Sequence, residues 1–249
     1  MLKEKINRLF PKEIQDLLVQ TRHRIHEHPE LAFEETNTQK LILETLNALG
    51  ITNGKAVAKT GVIARIKGKN SACPMIALRG DIDALPITET THLEFISKIP
   101  GKMHACGHDI HTSWVLAAGY LLTQNPPEGD VLLLFQPAEE IAEGALAVLE
   151  TEALKEVSAI FGGHVDRNFE IGEVVIQHGA ISASTDTFTI TYTGESAHGA
   201  RPHEGMDPIL AMSALVQSLH TIVSRQINPD EAAVLTVGTF HSGTAHNII

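Results

Sequence analysis

Apolar positions recur along the chain with two different periods. Ile14, Leu17, Leu18 and Ile25 share one face of a helix predicted over 12–28 and closed by Pro29, because the residue before proline is driven out of the α region. A second helix is predicted over 37–49, with Leu41, Ile42, Leu46 and Leu49 inward and Gly50 at its C-terminal cap. Short runs of β character follow at 61–66 (GVIARI) and 74–78 (PMIAL). A helix is predicted over 109–122, a buried strand over 130–135 (DVLLLF), helix again over 140–156, and a strand opening at Ala159-Ile-Phe161. Strands alternating with helices of this length predict an α/β layer fold with a mostly parallel sheet.

The pattern changes near residue 180. Residues 185–193 (TDTFTITYT) alternate polar and apolar, as a strand with one wet face does. A helix fits 207–225, and 233–240 (AVLTVGTF) has strand character. This β-α-β texture places a boundary at 179–184 and divides the chain into 1–180 and a smaller α+β part, 181–249. The second part is short for an independent core, and it stops at His246-Asn-Ile-Ile249 straight after a strand and a Gly-Thr turn. Both parts are therefore expected to be incomplete.

Composition narrows the function classes. The chain has 249 residues, 43% hydrophobic and 20% charged, an ordinary globular balance. Its net charge of −11 and the lack of a basic stripe disfavour a nucleic-acid partner. No apolar run approaches the ~18–20 residues of a membrane span, and the N-terminus lacks a signal-peptide core. Cys73 and Cys106 cannot form a disulfide framework, and they read as reduced thiols in a cytoplasmic protein. Fourteen histidines, several beside acidic residues, direct attention to metal or acid–base chemistry.

Four clusters follow predicted strands or open helices: Arg79-Gly-Asp-Ile-Asp-Ala-Leu-Pro86, His104-Ala-Cys-Gly-His-Asp109, Gln136-Pro-Ala-Glu-Glu140 and Gly162-Gly-His-Val165. In open α/β sheets, sites gather beyond the carboxyl ends of strands. Cys106 and His108 could share one metal or two adjacent ones, or could be a buried cysteine beside a capping histidine. At a strand-to-helix turn, one of Glu139 and Glu140 could bind metal while the other contacts water; the pair could also merely complement a helix dipole. His164 could be a core histidine, and Asp81 and Asp83 turn residues. Taken together, those bland readings need four coincidences at equivalent topological places.

The motifs RGDIDALP, HACGHD, QPAEE and GGHV, followed by SAHGARPHEGMDPI and GTAHNII, resemble the M20 metallopeptidase family, in its aminoacylase/hippurate hydrolase subgroup. The likeness runs in order over essentially the whole chain. It implies a two-metal catalytic domain interrupted by a smaller lid or dimerisation domain. It also implies two divalent ions, zinc or manganese, held by Cys106, His108, Glu140 and His164, with Glu139 as general base. Asp83 would orient a group beside the metal, and His198 would stabilise the oxyanion, often from a partner subunit in relatives. Asn247 and Arg201 would stand on the substrate side. The family keeps one further histidine ligand beyond the lid, which lies past residue 249, so the resemblance implies truncation at the C-terminus. The implied reaction is hydrolysis of an N-acyl amino acid by a homodimer. The alternatives are a catalytically impaired fragment of such an enzyme and a hydrolase using Cys106 as nucleophile, which would leave the glutamate pair and His164 without work.

Overall fold

The computed structural model describes residues 2–179 and 184–249, which form two compact units, Met1–Glu173 and Val174–Ile249. The boundary expected at 179–184 falls largely on residues outside the described ones.

The first unit is a five-stranded sheet with helices. Its strands are β1 (Lys55–Val57), β2 (Gly61–Ile66), β3 (Met75–Asp81), β4 (Val131–Gln136) and β5 (Val157–Gly162), in the order β1-β2-β4-β3-β5. The β3–β4 and β3–β5 pairs are parallel, while β2 runs against both its neighbours. Four of the five strands therefore point one way, in a mostly parallel α/β sheet.

Helices α1 (Leu2–Leu9), α2 (Lys12–Glu27), α3 (Thr36–Ala48) and α4 (His108–Gln124) follow the predicted periodicity, apart from the separate first helix. Helix α3 ends as expected: Gly50 donates to the Asn47 carbonyl at 3.0 Å and Ile51 to that of Leu46 at 2.8 Å, a Schellman pair. At the other end of α3 the Glu30 carboxylate accepts from the amides of Asn37 and Thr38.

The continuous apolar run of β4 has a direct cause. Val131, Leu133 and Phe135 face a core with Ile42, Leu46, Val62, Val115 and Leu116, contributed by α3, β2 and α4. Leu132 and Leu134 face the opposite side, among Met75, Ala77, Ala58 and Val148. A strand covered on both faces has no polar alternation.

Three expectations are corrected. The helix expected over 140–156 is reduced to α5 (Gly144–Leu149), because Ala142 and Glu152 both take left-handed backbone angles (φ 57° each) that a helix cannot continue through. Neither 185–193 nor 233–240 forms a strand among the described residues, since an alternating segment becomes a strand only by pairing. Among its described residues the second unit instead pairs through isolated bridges, Glu195 with Met206 and His198 with Ile248. Its main element is α6 (Pro208–Gln226), close to the predicted 207–225. The Asp207 side chain caps α6 by accepting from the Ile209 and Leu210 amides at 2.8 and 3.1 Å.

Leu133 is fully buried between β2, α3 and α4. Leu133→Ala should cost about 2–5 kcal/mol in urea unfolding; a loss under about 1 kcal/mol would show that this core is not packed as described.

Candidate metal centre

The carboxyl ends of β3, β4 and β5 lie side by side, with Asp81 paired to Gln136 and Arg79 to Gly162. Asp81 and Asp83 therefore leave β3 next to the Glu139–Glu140 turn after β4 and the His164 loop after β5. The Cys106–His108 segment joins them at the N-terminus of α4. Gly107 makes that possible, since its φ of 86° suits glycine and an added Cβ would meet Val165 Cγ2 at 2.5 Å.

His108 is the centre of the cluster. Metal-competent atoms of Cys106, His108 and His164 lie within 4.8 Å of one another, as do those of His108, Glu139 and Glu140. Cys106 Sγ is 3.3 Å from His164 Nε2, and His108 Nε2 is 3.7 Å from both Glu139 Oε2 and Glu140 Oε1. Asp81, His108 and His111 are also grouped. His111 is fully engaged, however: its Nδ1 bonds Asp81 at 2.6 Å and its Nε2 accepts from the Val165 amide at 3.0 Å. Asp81 in turn also accepts from Arg79, so Asp81 and His111 serve as support for His108.

The hydrogen bonds fix which nitrogens are free. Asp83 Oδ1 lies 3.3 Å from His108 Nδ1, and the Val165 carbonyl accepts from His164 Nδ1 at 2.6 Å. Both histidines thereby turn an Nε2 lone pair into the cluster, the arrangement that prepares imidazole for a metal. His108 Nε2 and Glu140 Oε1 are buried without any hydrogen-bond partner. A buried lone pair left unpaired is costly. Two ligands on one tetrahedral ion with ~2.1 Å bonds stand roughly 3.4 Å apart, close to the separation seen here. The donor set of thiol, imidazole and carboxylate thus fits a divalent transition-metal cation.

The electrostatics point the same way. Burial raises the Cys106 thiol to about 12, reinforced by Glu140 and Glu139. Burial also raises the Glu140 carboxyl, although His108 offsets part of this. Burial would lower His108, but Asp83 and Asp81 overcome it and raise its pKa. This is a pocket of crowded negative charge that draws positive charge inward.

Every first-unit residue singled out in the sequence is in the cluster or touches it. Sequence patterning did not reveal the supports. Asp109 accepts from Arg22 at 3.0 Å and lies 3.1 Å from His26 Nδ1, tying α4 to α2, while His26 Nε2 faces Glu89 at 3.3 Å. Asp109 closes the HACGHD motif, whereas Arg22, His26 and Glu89 carried no signal. His198, Arg201 and Asn247 lie in the second unit. There the Gly199 amide donates to the Asn247 carbonyl at 2.8 Å, and the Ala200 amide donates to His198 Nδ1 at 3.1 Å. Those three residues form a group of their own.

Fold and cluster define a class: an α/β protein whose parallel strand ends gather a Cys/His/carboxylate site suited to divalent cations. The chain belongs to Peptidase family M20/M25/M40, which residues 77–246 match. It is 43% identical over its whole length to an N-acetyl-L-cysteine deacetylase of Bacillus subtilis (strain 168), of which it spans 60%. It is 44% identical, over 94% of its length, to IAA-amino acid hydrolase ILR1-like 5 of Arabidopsis thaliana, of which it spans 54%. Among solved structures it resembles the Bacillus subtilis YXEP protein, described as a dinuclear metal binding peptidase of the M20 family. That match has a TM-score of 0.69 and 41% identity, and covers 84% of this chain and 57% of that one. No described helix is long and apolar enough to cross a membrane.

Burial works against the Asp81 carboxylate, but His111, His108 and Arg79 hold its pKa at about 2, below the ordinary 3.8. Its folded value is below its unfolded one, so the ionised form contributes stability above about pH 4. That contribution, about 2 kcal/mol, is lost as pH falls through about 2. With a chelator present, the unfolding free-energy gap between the native protein and Asp81→Asn should narrow from pH 6 towards pH 2; a flat gap would rule the linkage out.

Proposed function

We propose that this chain is the metal-ligating part of a metal-dependent amidohydrolase that hydrolyses N-acyl amino acids. The observation that carries the reading is the pair of buried, unpartnered lone pairs, His108 Nε2 and Glu140 Oε1, turned towards each other within a Cys/His/carboxylate cluster. Two of the similar proteins are named for acyl amino acids, an N-acetyl-L-cysteine and an IAA-amino acid.

Cys106, His108, Glu140 and His164 would hold two divalent cations, with thiol and imidazole favouring zinc and the carboxylates leaving manganese open. When bound, such ions polarise an amide carbonyl and bring the pKa of a water towards ~7. Glu139 is the general base. Its side chain is 40% exposed against 19% for Glu140, which suits one carboxylate to meet water and substrate and the other to face inward. Glu139 takes a proton from the attacking water and delivers it to the leaving amine nitrogen, giving a carboxylate and a free amino acid.

Asp83 orients His108 through Nδ1 and fastens the base-bearing turn by accepting from the Glu140 amide at 3.0 Å. His198 is the oxyanion donor. The Ala200 amide occupies its Nδ1, so the neutral ring carries its proton on Nε2, where it can be donated. Arg201 fits the carboxylate of the amino-acid moiety, and Asn247 lines the same side. We assign the protein to a homodimer, supported by exposed apolar residues of the second unit such as Leu210, Phe188 and Val234. We assign it to the cytoplasm, since both cysteines are free and a thiol ligand must stay reduced.

A second reading, that turnover needs residues beyond this chain, is favoured by one fact: the chain spans 60% of the deacetylase it matches. A Cys106 nucleophile is disfavoured, because its thiol is held near 12 whereas attack needs a lowered value.

Purified protein should hydrolyse hippurate or N-acetylmethionine, lose that activity to a chelator and regain it with Mn²⁺ or Zn²⁺. Failure to turn over with metal bound would favour the second reading. Glu139→Ala should reduce turnover by about 10²–10⁴-fold with metal content unchanged; turnover like that of the wild type would remove Glu139 from the mechanism.

A further inference from the structure

Glu35 is a carboxylate with no exposed surface, at the N-terminus of α3. It does not cap that helix, because Glu30 does so. Its two oxygens reach elsewhere. Oε2 accepts from the Thr60 hydroxyl, in the turn between β1 and β2, and Oε1 accepts from the Ala138 amide at 2.8 Å, 103 residues away along the chain.

Ala138 is a demanding place to be held. It is fully buried, immediately precedes Glu139, and has a φ of 49°, a left-handed angle that a residue with a Cβ adopts only at a cost. Pro137 on its other side has no amide to donate. The far end of the turn is closed by the Gly144 amide, which donates to the Ala138 carbonyl at 3.0 Å, and by the Ala142 amide, which donates to that of Glu139 at 2.8 Å. With that end closed internally, the Ala138 amide is where the turn is tied to α3 and the β1–β2 turn.

We propose that Glu35 is a positioning residue: through the Ala138 amide it sets the strained turn that aims Glu139 and Glu140 into the cluster. The inference rests on the reading that Glu139 is the base and Glu140 a metal ligand. The bond needs an acceptor at the right reach rather than a charge. Glutamine keeps both the acceptor and the reach, whereas aspartate keeps the charge and falls one methylene short. A residue present only for its charge would rank the two the other way, and one present only to fill the interior would leave the Ala138 amide unaffected by either change.

The test compares Glu35→Gln and Glu35→Asp by Mn²⁺ titration, by exchange of the ¹⁵N-labelled Ala138 amide and, where turnover is present, by kcat and KM. Glu35→Gln should bind Mn²⁺ within about 3-fold of wild type. Glu35→Asp should bind 10–100-fold more weakly, the usual effect of removing a support behind a ligand. It should also lose Ala138 protection and lower kcat with KM within about 3-fold. Aspartate matching wild type, or glutamine losing as much as aspartate, overturns the proposal. If Glu35→Asp does not fold, Glu35→Gln decides: the Ala138 amide should stay protected while its resonance moves with the change of acceptor, and an unmoved resonance overturns the proposal. If wild type neither binds Mn²⁺ nor hydrolyses substrate, the proposed function fails, while the Ala138 amide still decides whether Glu35 sets the turn.

Discussion

The parallel register of β3 between β4 and β5 determines where every reactive group of the first unit can stand. Asp81 is paired with Gln136, and Arg79 with Gly162, so three loops leave the sheet at nearly the same level. A slip of one residue would turn Asp81 to the opposite face and take its partner His111 out of reach. The apolar burial of β4 on both faces penalises such a slip, because Leu133 and Leu134 would exchange cores that differ in shape. Packing far from the chemistry thus fixes its geometry.

The cluster assembled in this way is poorly balanced in charge unless something positive enters it. Asp81 is paired with Arg79 and hydrogen-bonded by His111, and Asp83 is occupied by His108 and the Glu140 amide. Glu140 Oε1 and His108 Nε2 remain, buried and unpaired. Asp81 and Asp83 are satisfied, and the two groups of the cluster left wanting a partner face one another; beside it, His104 is also buried without a partner. A solvated surface cluster would show no such division, since water would satisfy each member independently.

Much of this was legible in the residues. Period 3.6 located α2 and α3, and the apolar run DVLLLF located β4, because those signals come from burial of whole faces. The four acid, cysteine and histidine clusters were legible because topology sends them to strand ends. Glu35 was not: a glutamate at a helix N-terminus suggests a dipole contact, and nothing local shows that it reaches Ala138. Nor was His111, since its role depends on Asp81 and Val165, both distant in sequence. The segments 185–193 and 233–240 carry genuine strand patterning, but a pattern describes faces and cannot supply the partner that a ladder requires.

The division of chemistry between the two units follows the same logic. Groups that must meet a cation at fixed distances are built on strand ends and a helix terminus, where backbone hydrogen bonds hold them to fractions of an ångström. His198 and Arg201 instead sit on a loop pinned to the segment that carries Asn247, through the Gly199–Asn247 and Ile249–Ala197 hydrogen bonds. Groups of that kind suit a substrate, which varies in shape and must enter and leave. On the proposed function, which puts the cation ligands in the first unit and the substrate contacts in the second, acyl and amino-acid preferences would change through the second unit while the buried cluster of the first stays intact.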